Sequence, residues 1–230
     1  LSLKRMPFRI EAYDISNTGG MESVGSMIVF NNGKPSNSDY RKFKIKSVSG
    51  SNDYESMKEV LFRRFMRGKK EQEQIEQGEL CEEEAKFYPF PDLILVDGGK
   101  GHVSCAREVL DELGVTIPLY GMVKDDSHRT RGITTESEEI EIDIRSSAFK
   151  LLAHIQDEAH RVAISYHRSL RGKKFTRSEL ETIEGIGVKR RKNLLKHFKS
   201  LERIKNASVE ELAQVEGMNY RCAENVYNYF

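Results

Sequence analysis

Pro91-Asp92-Leu93-Ile94-Leu95-Val96-Asp97-Gly98-Gly99 reads as a short apolar strand that ends on a carboxylate and a glycine turn. Consecutive aliphatic residues bounded by turn formers suit a strand buried on both faces, as in a parallel sheet covered by helices. Its terminal acid is not core material. An unpaired buried carboxylate is costly, so Asp97 meets a cation, points into a cleft or caps the Gly-Gly turn. The pattern occurs again near the start, where Arg9-Ile10-Glu11-Ala12-Tyr13-Asp14 runs into Asp14 ahead of Ser16-Asn17. Two strands that each deliver an aspartate at the C-terminal end suggest one shared site.

Working outward, the first 46 residues hold strands over 8–16, 23–30 and 40–45, separated by Gly19-Gly20 and by Asn31-Asn32-Gly33. Such pairs favour hairpins. Met57, Val60, Leu61 and Phe65 recur at spacings of three and four and predict a helix over 54–66. The Glu/Gln-rich stretch 69–86 reads as a solvated helical insertion without chemistry of its own. A helix over 103–113 stopped by Gly114, a strand over 119–123, a polar loop over 124–132, an edge hairpin over 139–144 and a long helix over 147–170 complete the segment. Three antiparallel strands, helix, strand, helix, strand and closing helix resemble the order of the ribonuclease H-like fold, an α/β mixed sheet. A buried parallel strand beside the first would bring Asp97 next to Asp14, in the crevice outside the strand C-termini where ligands of open α/β sheets bind. That is the outline of a metal-carboxylate nuclease. On the closing helix Asp157, His160, Ile164 and His167 share a face. His167 is the preferred third ligand, with His160 and Asp157 holding the helix in place.

The chain has 230 residues, 38% hydrophobic and 32% charged, room for one sizeable core and a small second unit. No apolar run approaches the roughly 20 residues of a membrane span, so no membrane partner is expected. Cys81, Cys105 and Cys222 are odd in number and far apart, which supports neither a disulfide framework nor a zinc cluster and fits a reducing cytoplasm. The absence of an initiator methionine and of a signal peptide suggests an excised part of a longer protein. Net charge is +1, yet residues 161–205 carry fourteen Lys/Arg against four acids, while 71–84 carry seven glutamates and no Lys or Arg. The basic third is suited to a polyanion.

The expected domains are 1–172, a linker at 173–177 and an all-α unit at 178–230 with an internal repeat. Ser178-Glu-Leu-Glu181 and Ser208-Val-Glu-Glu211 read as capping boxes. Each short helix runs into a turn, Glu184-Gly185-Ile186-Gly187 or Glu216-Gly217-Met218-Asn219, and then an amphipathic helix. These are two helix-hairpin-helix motifs. Glycines let backbone approach a phosphate, the next helix offers N–H donors, and Lys189 and Arg190 add charge. Gly185, Gly187, Lys189, Arg190 and Gly217 are the candidate DNA contacts here. Asn219 replaces a second glycine in the second repeat, which reads as chiefly structural.

Together Tyr13-Asp14-Ile15-Ser16, Asn52-Asp53-Tyr54, Val96-Asp97-Gly98-Gly99-Lys100-Gly101, Tyr166-His167-Arg168 and Ile183-Glu184-Gly185-Ile186-Gly187-Val188-Lys189-Arg190-Arg191 closely resemble the C-terminal half of the UvrC family. The resemblance implies a ribonuclease H-like endonuclease with an Asp-Asp-His site on Asp14, Asp97 and His167, making the incision 5′ to a lesion in damaged double-stranded DNA during bacterial nucleotide excision repair. Asp53 matches a further acid associated with incision, although it also suits the N-cap of the helix at Tyr54. The family's other nuclease domain and its segment for the UvrB–DNA complex are expected outside this stretch. Mg²⁺ or Mn²⁺ is the expected cofactor, with His167 as ligand or base. Lys100, after Gly98-Gly99, suits a backbone phosphate, and Arg168 extends the basic run. No Gly-x-x-x-x-Gly-Lys-Ser/Thr is present, so no nucleotide cofactor is expected. Lys124, Arg129 and Arg131 either touch DNA or are solvated. Rival readings are a non-catalytic DNA-binding scaffold and another ribonuclease H-like nuclease akin to endonuclease V.

Overall fold

The computed structural model describes residues 3, 6–17, 23–48, 50–125 and 130–230, without the side chains of 167–178. Strands β1 (Arg9–Ser16), β2 (Val24–Asn31), β3 (Lys34–Pro35) and β4 (Arg41–Lys44) precede helix α1 (Asp53–Glu76). Strand β5 (Leu93–Asp97), helix α2 (Lys100–Glu112), strands β6 (Leu119–Lys124), β7 (Thr130–Thr134) and β8 (Glu139–Glu141), and helix α3 (Ser147–Glu181) follow. The eight strands form one mixed sheet ordered β3-β2-β1-β5-β6-β7-β8, with β4 paired to β2. β1 is antiparallel to β2 and parallel to β5, which is parallel to β6. This is the ribonuclease H-like arrangement anticipated from the element order.

Alternation along β1 builds two cores. Tyr13 joins Met27, Ile94 and Val96 beneath α1 and α2, whereas Ile10 and Ala12 join Ile28, Leu93 and Leu95 beneath α3. The Asn32-Gly33 turn has both residues at positive φ (49° and 73°), the geometry that matches strand twist in a two-residue hairpin. Glu11, fully buried on the α1 side, accepts from Arg64 Nε at 2.8 Å and Nη2 at 2.7 Å and from the Tyr13 hydroxyl at 2.6 Å. Burial pushes the Glu11 carboxyl up, and the Arg64 charge and hydrogen bonds overturn that, leaving it below its ordinary value.

Two expectations change. The stretch 69–86 is helical in its first part, the last turns of α1, and largely exposed, but it is tied into the fold at one carboxylate. There Glu71, 3% exposed, accepts from the backbone N–H groups of Lys86, Phe87 and Tyr88. Three donors converging on one carboxylate satisfy a loop that crosses back to β5. The linker expected at 173–177, and Ser178 expected to open a helix, lie within α3, where 165–184 holds one glycine and no proline to break it. Two compact units are distinguished, Leu1–His167 and Arg168–Phe230. In the second, α4 (Val188–Phe198), α5 (Leu201–Lys205), α6 (Val209–Ala213) and α7 (Tyr220–Tyr229) enclose a core of Leu180, Ile186, Leu194, Leu212 and Val226.

Candidate active site

Parity and register bring the two aspartates together. Asp14 follows Ile10 and Ala12 on the α3 face of β1, and Asp97 follows Leu93 and Leu95 on the α3 face of β5. The parallel register pairs Tyr13 with Val96, so the next residues, Asp14 and Asp97, are neighbours at the strand ends. Gly121 on β6 makes the close approach behind them possible: a Cβ there would lie 2.3 Å from the Gly98 carbonyl oxygen. The turn after Asp97 therefore packs on bare backbone.

Asp97 is held from two sides. Lys124 Nζ, at the end of β6, lies 2.7 Å from Oδ2, and Gln156 Nε2, 1% exposed on α3, donates to Oδ1 at 2.9 Å and to the Met122 carbonyl at 3.2 Å. Thr130 Oγ1 donates to Gln156 Oε1 at 2.5 Å, which fixes the amide's orientation. Asp14 lacks such support. Its Oδ2 is buried without a hydrogen-bond partner among the described residues, and His160 Nδ1 approaches it at 3.4 Å, an ion-pair distance outside hydrogen-bond geometry. Burial, then repulsion from Asp97, pushes the Asp14 carboxyl up to about 7; Lys124 opposes the rise and Asp53 adds to it. One ligand atom from each of Asp14, Asp97 and His160 lies within 4.8 Å of the others, a set fit for a divalent cation.

Among the described residues the third member of this cluster is His160; the preferred His167 has its side chain outside them. Gln156 and His160 are one turn apart on the face of α3 over the strand ends, and His167 lies two further turns along the helix. The side chains of His167 and Arg168 are outside the described residues. Asp157 is turned to solvent. Asp53 is the first residue of α1; the N-cap is Asn52, whose side chain accepts from Glu55 N–H, while Asp53 Oδ1 accepts from the Asn17 side chain. Asp53 thus acts on the cluster as a neighbouring anion and is not among the three grouped ligands. Lys100 Nζ donates to the Ser137 carbonyl, on the turn between β7 and β8.

Two side chains near the carboxylates escaped the sequence reading. Lys124 read as a loop residue because nothing local shows that β6 ends beside β5. His102, in the first turn of α2, lies 4.7 Å from the Tyr54 ring; burial lowers it while Asp53 and Asp97 pull it up. The contact joins α2 to the start of α1, sites 48 residues apart.

In the second unit the hairpins form a reciprocal pair. Gly185 and Gly217 take positive φ, 84° and 82°, and Gly187 and Asn219 are the N-caps of α4 and α7. Asn193 on α4 donates to the Glu216 carbonyl of the second loop at 2.8 Å, and Asn225 on α7 donates to the Glu184 carbonyl of the first at 3.0 Å. Arg190 donates to the carbonyls of Gly217 and Gly185, both at 2.7 Å. Its fork ties one loop to the other. Lys189 is exposed beside it.

Residues 1–164 match the model of the UvrC RNAse H endonuclease domain, and residues 177–229 that of the SAM-like helix-hairpin-helix tandem. "UvrABC system protein C" of Thermoanaerobacter sp. (strain X514) is 58% identical over 96% of this chain and 36% of its own length. The protein of that name from Clostridium perfringens is 55% identical over all of this chain and 37% of its own. The chain thus spans little more than a third of these relatives. A crystal structure of human endonuclease V is similar over 72% of this chain and 86% of that one, at 13% identity and a TM-score of 0.37. With most of its length matched by the nuclease-domain model and its remainder by the tandem hairpins, the chain belongs to the UvrC RNase H endonuclease domain family.

Proposed function

We propose that this chain is the divalent-metal-dependent nuclease part of a bacterial nucleotide excision repair endonuclease, and that it makes the incision 5′ to a lesion in damaged double-stranded DNA. It acts in the cytoplasm, within a longer protein engaged with the UvrB–DNA complex. The observation that carries the reading is the buried Asp14 Oδ2, without a hydrogen-bond partner among the described residues, in the Asp14, Asp97 and His160 cluster. A buried acceptor without a donor is costly, and a cation shared with Asp97 relieves both the missing contact and the mutual repulsion. The donor set fits Mg²⁺ or Mn²⁺, the imidazole favouring Mn²⁺. When bound, the ion supplies Lewis acidity toward a phosphate oxygen and lowers the pKa of water.

The chain's own groups do the remaining work. Gln156 and Lys124 fix the Asp97 carboxylate, so its oxygens need no reorganisation when substrate arrives. His160 is 58% exposed and is the member of the cluster open to proton exchange with solvent. The hairpin unit, with exposed Lys189 beside glycine turns, holds the phosphate backbone without reading bases.

The test is single-turnover incision of a damaged duplex in the reconstituted repair complex, beside Mn²⁺ titration of the protein alone. Asp14→Ala and Asp97→Ala are expected to abolish incision and weaken Mn²⁺ binding while DNA affinity stays within a few fold. Residual nicking by a pure Asp14→Ala protein with normal Mn²⁺ binding removes the assignment.

A further inference from the structure

Strand β4 carries its lysines on the same face as the carboxylates. The antiparallel registers pair Asp14 with Ser26 and Ser26 with Lys42; one step along, Ser16 pairs with Val24 and Val24 with Lys44. Residues directly opposite in a ladder share a face. Lys42, Ser26, Asp14 and then Asp97 therefore form one row across the end of the sheet, while Phe43 between the lysines points the other way, into the core beneath α1 and α2. At ~4.8 Å per strand Lys42 stands roughly 10 Å from Asp14. Ser26, the step between them, is 1% exposed and its hydroxyl has no hydrogen-bond partner among the described residues. A cavity of about 450 Å³ opens beside Lys42, with Tyr40, Arg161 and Ser165 in its lining. Lys42 Nζ stands 5.4 Å over the Tyr166 ring, and Arg161 is forked onto Glu158 at 2.6 Å through two nitrogens. Lys42 lines the cavity beside Arg41, whose guanidinium donates to the Ser38, Tyr40 and Lys86 carbonyls.

We infer that Lys42 and Lys44 form a subsite for the DNA backbone, holding phosphates of the cleaved strand on the β4 side of the carboxylates; this rests on the nuclease reading above. A strand leaving the Asp14–Asp97 pair toward β4 covers the distance to Lys42 in about three phosphates, taking ~3.4 Å of axial rise for each. Lysines on a sheet edge also prevent edge-to-edge pairing, which is the competing explanation.

The experiment compares the chain with a Lys42→Gln/Lys44→Gln variant by fluorescence anisotropy on a labelled DNA duplex, in EDTA, across salt. A Lys70→Gln/Lys86→Gln variant makes the same charge change at other exposed positions. The subsite requires the salt slope to fall by about two units in the first variant, at ~0.9 per phosphate, and to hold in the control. An unchanged slope in a folded protein, or an equal fall in the control, overturns it. Incision in the reconstituted complex then localises the contact. A neutral methylphosphonate within about three linkages of the cut, on one side only, is expected to slow the parent chain on the order of tenfold and the variant no further. Additive effects mean diffuse attraction and overturn the subsite. If the parent chain never cuts while the slope still falls by two, the nuclease reading fails and the lysine row stands as a backbone site.

Discussion

Asp14 and Lys124 set the chemistry of the cluster from opposite directions. The Asp14 carboxyl stands near 7 in the folded protein against an ordinary value of 3.8. A folded carboxyl above its unfolded value binds more protons than the unfolded chain between those two values, so its contribution to stability is present below about pH 4 and lost as pH rises toward 7. In EDTA the melting temperature is therefore expected to fall from pH 5 to pH 7, and Asp14→Asn to flatten that slope by an amount on the order of a few kcal/mol. Parallel curves for the two proteins would contradict the raised carboxyl. Lys124, 2.7 Å from Asp97, is the protein's own counter-cation at this position. Lys124→Met is expected to tighten Mn²⁺ binding about tenfold at pH 8 by removing a like charge, read by electron paramagnetic resonance; unchanged affinity would make the lysine a bystander. His160→Ala is expected to slow incision on the order of a hundredfold with little change in melting temperature. Near-normal incision by that variant would return the third position to His167 or Asp53.

At the level of elements, the site exists because three chain segments end at one place. β1 and β5 deliver carboxylates by parity, β6 brings Lys124 by running two residues past its pairing with Asp97, and α3 lays Gln156 and His160 across them. The glycine in β6 is the structural condition for that convergence. Gly121→Ala would drive a Cβ into the Gly98 carbonyl and to within 3 Å of Thr134 and Val103 side chains. Overpacking of this kind costs about 1–3 kcal/mol and moves backbone. The expected result is a lower melting temperature together with weakened Mn²⁺ binding, since the shifted turn carries Asp97. A destabilised variant with unchanged Mn²⁺ affinity would show that the turn gives way without moving the carboxylate.

Across the whole chain, the second unit shows why a basic residue's place in a motif does not define its role. Arg190 and Lys189 are adjacent in a basic run, yet Arg190 spends its guanidinium on two loop carbonyls and Lys189 projects to solvent. Lys189→Gln is expected to lower the salt slope of DNA binding by about one unit with an unchanged melt. Arg190→Gln, losing charge-assisted bonds that tie the hairpins, is expected to destabilise the second unit by about 1–3 kcal/mol. The reverse pattern, a stability loss at Lys189 and none at Arg190, would reverse the two assignments.

Local sequence determined whatever depends on neighbours along the chain. The aliphatic run 93–96 with its terminal aspartate, the Asn32-Gly33 hairpin, the spacing of Met57 to Phe65 and the repeated glycine turns each reflect short-range sterics and periodic burial, and each is present in the fold. The meeting of Asp14 and Asp97 was legible too, because strand polarity and alternation propagate predictably from a buried parallel strand. Tertiary structure alone decided the rest. That His160 lies beside the carboxylates depends on where the helix crosses the sheet, and the face it shares with His167 leaves that axial position open. Lys124 is a site residue only because β6 ends beside β5. Glu71 is buried in an acidic stretch because three backbone donors return to it from residues fifteen to seventeen positions away. Each of these is a long-range contact whose energy comes from desolvation and charge pairing across elements, and no local pattern of residues encodes that.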